Sequence, residues 1–366
     1  MKGLLLIIAV VVLMTGFLLG GCAEPEPEPA APTTPTTPAE PAAPAEPAKP
    51  PAKAIILREG LIHNPQDQIG DETIKMAERF NARVDGYVLE AHCGGTLASM
   101  PETLDAVRTG TMELGQWPIG VFANADARFA SAELPFLLNN VEANIEALYL
   151  LHEDYSAVCE EKFNQKVLGT FTATSLDLLS KKPVRTMADW DGLLVMAINP
   201  ATAVTIETLG GSAVSLPWPD AYTSLDKGVV DAGMYATNQM VIYNLWEVAD
   251  YLVPVYMVPT GMVDTINLDV WNSLPKDIQD ILAEEHMKKG KILNDLWIEL
   301  VEEHLVTLAD VGLEVISLPE SERNLWRDAL APFREESLAG MGDFGKRVQE
   351  VADQVNAQYP YQSYGK

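Results

Sequence analysis

Two spacings of apolar residues alternate along the chain from residue 54 onward. Short apolar runs are typical of buried strands, and apolar residues that recur every three or four positions are typical of one helix face. Strands are predicted at 54–57, 87–89, 112–114, 167–171, 193–198, 213–216, 229–232 and 311–318. Helices are predicted behind Asp71 and at 97–107, 148–163, 201–209 and 221–225. This alternation predicts an α/β fold of parallel sheets with helices on both faces.

One predicted helix is much longer than the others. Residues 276–310 carry a single apolar stripe, with Pro275 at its start and Gly312 after its end. At 1.5 Å per residue such a helix is roughly 50 Å long, which exceeds the width of one small domain. We therefore expect two lobes with this helix bracing both.

The first residues have the organisation of an export signal. Lys2 is followed by an apolar run at 4–19, and Gly20 and Gly21 precede Cys22. This ending resembles a bacterial lipobox, which predicts a signal peptide at 1–21 and a lipid on Cys22. The alternative is an uncleaved membrane anchor. In both cases the bulk of the chain is expected outside the cytoplasm, attached to the membrane only through its N-terminus.

Residues 22–53 are rich in Pro, Ala, Thr and Glu. Because residues 23–53 have no large apolar side chain, they cannot bury enough surface to offset the entropy lost on ordering. We expect a tether.

The composition narrows the class of partner. Apolar residues make up 48% of the 366 residues, which is enough for a substantial core, and the formal net charge is −27. Such acidity argues against nucleic acid or an anionic membrane surface as a partner. Cys93 and Cys159 are far apart in the sequence, and we expect two separate buried thiols rather than a disulfide.

A search for catalytic and metal-binding motifs finds none that fits. The five histidines have no metal-site spacing, and there is no Gly-x-Ser-x-Gly or phosphate-binding loop. We therefore expect no enzyme, no cofactor and no resident metal. The five histidines that lack a metal-site spacing are His63, His92, His152, His286 and His304.

Without catalytic motifs, ligand capture is the expected role of a two-lobed exported protein. Two-lobed binding proteins close about a hinge over a ligand at the carboxyl ends of the strands.

Several segments, in order over about residues 54–340, resemble the solute-binding receptors of tripartite ATP-independent periplasmic (TRAP) transporters, of the dicarboxylate-receptor type. The segments are Gly94-Gly95-Thr96-Leu97, residues 102–110, Leu134-Pro135-Phe136, residues 182–193, residues 209–214, residues 221–231 and residues 271–275. The resemblance implies a two-lobed, periplasmic-binding-protein-like receptor that captures a small molecule by hinge closure and delivers it to the membrane permease subunits. It also implies lobe I at 54–177 with 259–300, lobe II at 178–258 with 301–330, and C-terminal helices at 331–366 that pack on the lobes.

Two single positions and one three-residue segment depart from the family's pattern. Met196 lies where the family usually carries an arginine that pairs with the substrate carboxylate, and Leu176 lies where a second arginine is frequent. Gly233, Met234 and Tyr235 replace a polar Gln-Glu-Asn. Since a buried carboxylate without its guanidinium loses about 1.5–3 kcal/mol, these residues predict a neutral, apolar or aromatic ligand.

The resemblance and the residue types together give a predicted ligand site. Its expected apolar wall is Trp117, Phe171, Leu176, Met196, Trp218, Met234 and Tyr235, and its expected polar anchors are His63, Asn64, Gln66, Gln116, Asn238 and Gln239. One alternative is a carboxylate bridged by a metal at Asp264 or Asp177. Another is a receptor of similar build for an ABC importer or a sensor kinase. The third alternative is an exported enzyme, which would need a nucleophile or a pair of acids in the cleft, and the sequence shows neither.

Overall fold

A single mixed sheet organises residues 54–364, which are the residues that the computed structural model describes. Its strands are β1 (Ile55–Gly60), β2 (Tyr87–His92), β3 (Leu114–Pro118), β4 (Gln165–Ser180), β5 (Leu194–Ala197), β6 (Ser212–Ser215), β7 (Ala232–Tyr235), β8 (Tyr251–Asn267) and β9 (Glu314–Val315). The helices are α1 (Gln68–Asn81), α2 (Met100–Arg108), α3 (Val141–Leu150), α4 (His152–Phe163), α5 (Pro200–Leu209), α6 (Ala221–Asp226), α7 (Thr237–Ile242), α8 (Leu268–Ser273), α9 (Lys276–Asp310), α10 (Glu320–Ala329), α11 (Ala331–Gly340) and α12 (Asp343–Gln358).

Two long antiparallel strands join two parallel halves of this sheet. The strand order is β2-β1-β3-β8-β4-β7-β5-β6, with β9 beside β8. β1 is parallel to β2 and β3 in lobe I, and β5 is parallel to β6 and β7 in lobe II. β4 and β8 are antiparallel to each other and run through both halves. The expectation of wholly parallel sheets is therefore wrong for the centre of the sheet.

The predicted boundary at residue 177 falls inside β4 and the one at 258 falls inside β8, where the pairing of the two strands is irregular. Thr174 and Tyr256 have positive φ angles of 76° and 54° there. The Asp177 carboxylate accepts hydrogen bonds from the backbone N–H groups of Val255 and Met257, at 3.0 and 3.1 Å. Asp177 thus supplies acceptors to donors that the interrupted ladder leaves unpaired.

Separate buried clusters fill the two lobes. α9 contributes Leu293 and Trp297 to a lobe I cluster, and Leu305 and Leu308 to a lobe II cluster. The predicted bracing of both lobes by this helix is confirmed, as are its ends at Lys276 and Asp310. Of the C-terminal helices, α11 and α12 pack on the lobe I cluster, whereas Trp326 of α10 packs in lobe II.

Several predicted elements lie elsewhere or differ in length. α1 begins after Asp67 rather than Asp71, because Asp67 accepts a hydrogen bond from the Gly70 N–H at 2.7 Å. The predicted helix at 148–163 is two helices that meet at Leu151. The predicted strand at 229–232 is β7, displaced because the turn after α6 uses residues 227–231, and the strand at 311–318 is only β9.

The predicted signal peptide, Cys22 lipid and tether fall on residues 1–53, outside the described residues. Across residues 54–364, no helix is both long and apolar enough to cross a membrane. Cys159 is buried and Cys93 is half-buried, and both are free thiols.

Candidate functional site

The carboxyl ends of strands from both lobes point toward the same crevice. β3 ends at Pro118, opposite Met262 of β8, and β7 ends at Tyr235, opposite Asp177 of β4. The chain segments that follow β1, β3, β5 and β7 therefore meet where β4 and β8 pass between the lobes. In open α/β sheets, ligands lie outside the carboxyl ends of the strands, so this crevice is the candidate ligand site.

Among the described residues, a hydrogen bond joins segments on the two sides of the crevice. The Asn199 amide, directly after β5, donates from Nδ2 to the Glu133 carboxyl at 2.9 Å. Glu133 ends a short 3₁₀ helix, Ala127–Glu133, in lobe I, and it is buried. Burial raises the pKa of Glu133 to about 7.

A chain of polar side chains leads from the crevice into lobe I. His63 Nδ1 lies 2.9 Å from Gln116 Oε1, and Gln116 donates to Asp264 at 3.2 Å. Lys289 of α9 lies 2.7 Å from Asp264 and 3.4 Å from Glu59. His286 completes the cluster, 3.3 Å from Glu59.

Burial and ion pairing compete in this cluster. Burial alone would raise the pKa of Glu59, but Lys289 and His286 lower it to about 2. Burial alone would lower the pKa of Lys289, but Asp264 and Glu59 raise it. For His63, nearer the crevice, burial lowers the pKa. Lys289 is therefore a charged group in the interior of lobe I.

Six of the seven residues of the predicted apolar wall are distributed over three buried clusters. Trp117 and Phe171 belong to a lobe I cluster, Leu176 and Met234 to one lobe II cluster, and Met196 and Tyr235 to another. The Tyr235 hydroxyl donates to Met196 Sδ at 3.2 Å. Trp218 begins a short turn, Trp218–Asp220. The six wall residues other than Trp218 thus lie in three separate clusters rather than in one wall.

The predicted polar anchors are only partly brought together. His63 and Gln116 contact each other directly. Asn64 and Gln66 are exposed, and the Asn64 N–H donates to Asp67. Gln239 accepts from the Ala236 N–H at 3.1 Å, and Asn238 Oδ1 is buried with no hydrogen-bond partner in the described part of the chain.

The two residues suspected of bridging a metal have other contacts. Asp264 pairs with Lys289, and Asp177 accepts from backbone N–H groups of β8. Among residues 54–364, no three His, Cys, Asp or Glu side chains are grouped so that they could hold a metal ion. This geometry gives no support to a metal-bridged ligand.

Sequence reasoning missed three residues of this region. Glu133 directly precedes the Leu134-Pro135-Phe136 segment, and Asn199 precedes Pro200 at a helix start, which is a capping signal. Nothing in the sequence indicates that Lys289 is buried, because a lysine on a long helix is normally solvated.

Comparison with known proteins identifies relatives over most of the chain. The model of the family DctP, described as bacterial extracellular solute-binding protein, family 7, matches residues 60–340.

Two curated relatives are similar over about two thirds of the chain. The 2,3-diketo-L-gulonate-binding periplasmic protein of Escherichia coli is 24% identical, over 64% of this chain and 72% of the relative. The monocarboxylate 2-oxoacid-binding periplasmic protein of Nostoc is 26% identical, over 68% and 69%. Among solved structures, a TRAP periplasmic solute-binding protein from Desulfovibrio salexigens with bound orotic acid has a TM-score of 0.73. The two chains are 20% identical, and the match covers 83% of this chain and 99% of that one. At this low identity, the likeness supports the assignment of the fold alone.

Proposed function

The chain belongs to family 7 of the bacterial extracellular solute-binding proteins, and we propose that it captures a small organic acid without a pairing arginine. As a TRAP-type extracytoplasmic receptor, it binds a solute outside the cytoplasm rather than transforming it. The proposed sequence of events is closure of the crevice over the acid, followed by delivery to the membrane permease subunits of the transporter.

An acid is proposed because of what the relatives bind. The names of the two curated relatives and of the solved structure specify 2,3-diketo-L-gulonate, a monocarboxylate 2-oxoacid and orotic acid, all of which are carboxylic acids. The ligand predicted from sequence was neutral or apolar, because Met196 and Leu176 replace the family's arginines. Similarity of fold and family favours the acid as the first class to test.

The observation that carries the proposed mode of recognition is the packing of Met196. Its side chain is fully buried beside Tyr235, and Leu176 lies in a different buried cluster. Neither position can offer a cation to a carboxylate. Polar side chains that follow β1, β5 and β7 at the crevice include His63, Asn199 and Gln239. Because His63 Nδ1 already donates to Gln116, we propose that the acid is held by the amide donors of Asn199 and Gln239.

The second candidate is the neutral or aromatic solute predicted from the sequence. It is favoured by the same replacement of the family's arginines, since a carboxylate that gains no guanidinium keeps its full desolvation cost. A neutral solute needs only the hydrogen bonds. The two candidates share the crevice and differ in the charge of the ligand.

Isothermal titration calorimetry with matched pairs separates the two candidates. Orotate is compared with orotamide and pyruvate with pyruvamide, because each pair differs mainly in the charged group. If the ligand is an acid, the acid of at least one pair should bind more tightly than its amide. Equal or tighter binding of the amides would instead support a neutral solute.

The transporter partner and the lipid anchor are tested separately. Genes for a small and a large multi-span permease beside this gene would support a TRAP system, whereas an ATPase gene would support an ABC importer. We also propose that Cys22 carries a lipid, which predicts incorporation of labelled palmitate that is lost in Cys22→Ser. Palmitate labelling that persists in that variant would contradict the anchor.

A further inference from the structure

The hydrogen bond between Glu133 and Asn199 is built by the local structure on both sides. Asn199 caps α5: its Oδ1 accepts from the Thr202 N–H at 2.8 Å, so its Nδ2 is the atom left to donate to Glu133. On the other side, a Cβ at position 120 would lie 2.2 Å from Glu133 Cδ. Gly120 therefore makes the space in which the carboxyl lies.

Only one of the two carboxyl oxygens of Glu133 is used. Oε2 accepts from Asn199, and no hydrogen bond of the described residues involves Oε1. The two segments on either side of the Glu133 carboxyl each follow the carboxyl end of a strand. Gly120 comes shortly after β3, and Asn199 comes shortly after β5. Glu133 thus bridges the two walls of the crevice at the level where a ligand of this fold lies.

No cation compensates the Glu133 carboxyl within residues 54–364. Removing an unpaired carboxylate from water costs several kcal/mol, whereas the nearby N-terminus of α5 returns only about 0.3–1 kcal/mol. The neutral acid is therefore the cheaper buried form. The cationic side chains of the 3₁₀ helix and of the helices packed against it contact other groups: Arg128 pairs with Asp126 and Glu161, Arg334 donates to the carbonyls of Pro135 and Arg327, Arg347 pairs with Asp154, and Lys346 pairs with Asp343.

We propose that Glu133 determines which solutes the crevice accepts, as a neutral carboxylic acid that bridges the closed walls and takes up one proton when an anionic solute is captured. The proton is bound on Oε1 and donated in a hydrogen bond to the carboxylate of the solute, while Oε2 still accepts from Asn199. An ionised Glu133 would repel the same carboxylate. This inference rests on the proposed capture of an acid, and it adds the group that makes capture depend on pH.

A first experiment needs no ligand. Hydrogen–deuterium exchange of the full chain is followed in peptides that cover 118–133 and 198–203, at pH 6 and pH 8, with correction for the intrinsic rates. In the wild type, ionisation of Glu133 opens the crevice, and protection is expected to fall about tenfold between the two pH values. In Glu133→Gln, which cannot ionise, protection should stay high at both. In Asn199→Ala, it should be low at both.

Glu207→Gln is the matched control, because it removes an exposed acid from the far end of α5 and should behave like the wild type. A second experiment measures proton uptake when orotate binds, by calorimetry in phosphate and Tris buffers. On binding orotate, the wild type should take up close to one proton at pH 8 and only a small fraction of a proton at pH 6. The variant Glu133→Gln should take up none at either pH.

The outcomes separate this inference from the proposed function. Wild-type protection that does not change with pH, or an equal change in Glu133→Gln, would overturn the role of Glu133. If the pH effect on protection is present but neither orotate nor pyruvate binds, the closing contact stands and the proposed acid ligand fails. Orotate binding with the same proton uptake in both proteins would leave the proposed function intact and refute the part played by Glu133.

Discussion

Replacement of Lys289 by methionine tests the buried charge cluster of lobe I. Lys289 is fully buried, and its Nζ lies 2.7 Å from Asp264 and 3.4 Å from Glu59. Methionine keeps the aliphatic part of the side chain and removes the charge. Two buried carboxylates then lose their shared cation, with His286 as the remaining positive partner of Glu59.

The expected loss follows from breaking a buried ion pair. Removing one partner of such a pair typically costs about 3–5 kcal/mol. Burial raises the pKa of Glu59, but Lys289 and His286 bring it below its ordinary value, so the cation that the variant lacks is one that keeps Glu59 ionised. We therefore expect a loss of about 3 kcal/mol or more at pH 7.

The pH dependence provides a sharper test. Because the folded pKa of Glu59 is depressed, its contribution to stability is present above pH 4.5 and is lost as the pH falls toward 2. Without Lys289, burial favours the protonated acid, so the variant is penalised most where carboxylates are ionised. The difference between wild type and variant should therefore be larger at pH 7 than at pH 4.5.

Urea unfolding followed by tryptophan fluorescence at the two pH values measures this difference. Lys291→Met is the control, since Lys291 is an exposed residue of α9 whose solvent-screened pair with Asp295 should contribute little to stability. A loss below about 1 kcal/mol in Lys289→Met at pH 7, or an equal loss at both pH values, would refute the reasoning.

The remaining predictions concern packing and the hinge. In Gly70→Ala, the new Cβ would lie 1.9 Å from the Asn64 carbonyl oxygen, so the unfolding midpoint should fall markedly; Gly340→Ala, where the Cβ meets nothing, should leave it unchanged or raise it slightly. Asp177→Ala leaves two buried N–H groups of β8 without an acceptor and should lower the free energy of unfolding by about 2–4 kcal/mol in urea titrations, and a loss under 1 kcal/mol would contradict this. Met196→Arg places a guanidinium in a closed apolar cluster, so thermal denaturation should show a loss of about 3 kcal/mol or more, and calorimetry should show no gain in orotate affinity.

Local signals explain what could be predicted of the fold. Pro275 and one apolar stripe define α9 to the residue, because both signals are local in sequence. The strand β8 was missed because its 17 residues form a nearly continuous buried run without alternation, and its antiparallel pairing with β4 is a long-range property. The length of α9 predicted two lobes, and the family resemblance supplied their approximate residue ranges.

The site was less predictable because it depends on which polar groups become buried. Met196 was recognised by position, but its enclosure beside Tyr235 depends on how helices pack on the sheet. Glu133 looks like an ordinary surface acid until Gly120 is seen to make room for it. Lys289 looks like a solvated residue of a long helix until Glu59 and Asp264, far away in sequence, are seen to surround it.

The central claim is the capture of a small organic acid by a crevice without a pairing arginine. Calorimetric titration of the purified full chain with orotate and orotamide at pH 6 tests it most directly. Saturable one-to-one binding of orotate, with weaker binding of orotamide, is the predicted result. Orotamide binding as tightly as orotate, or more tightly, would contradict the claim.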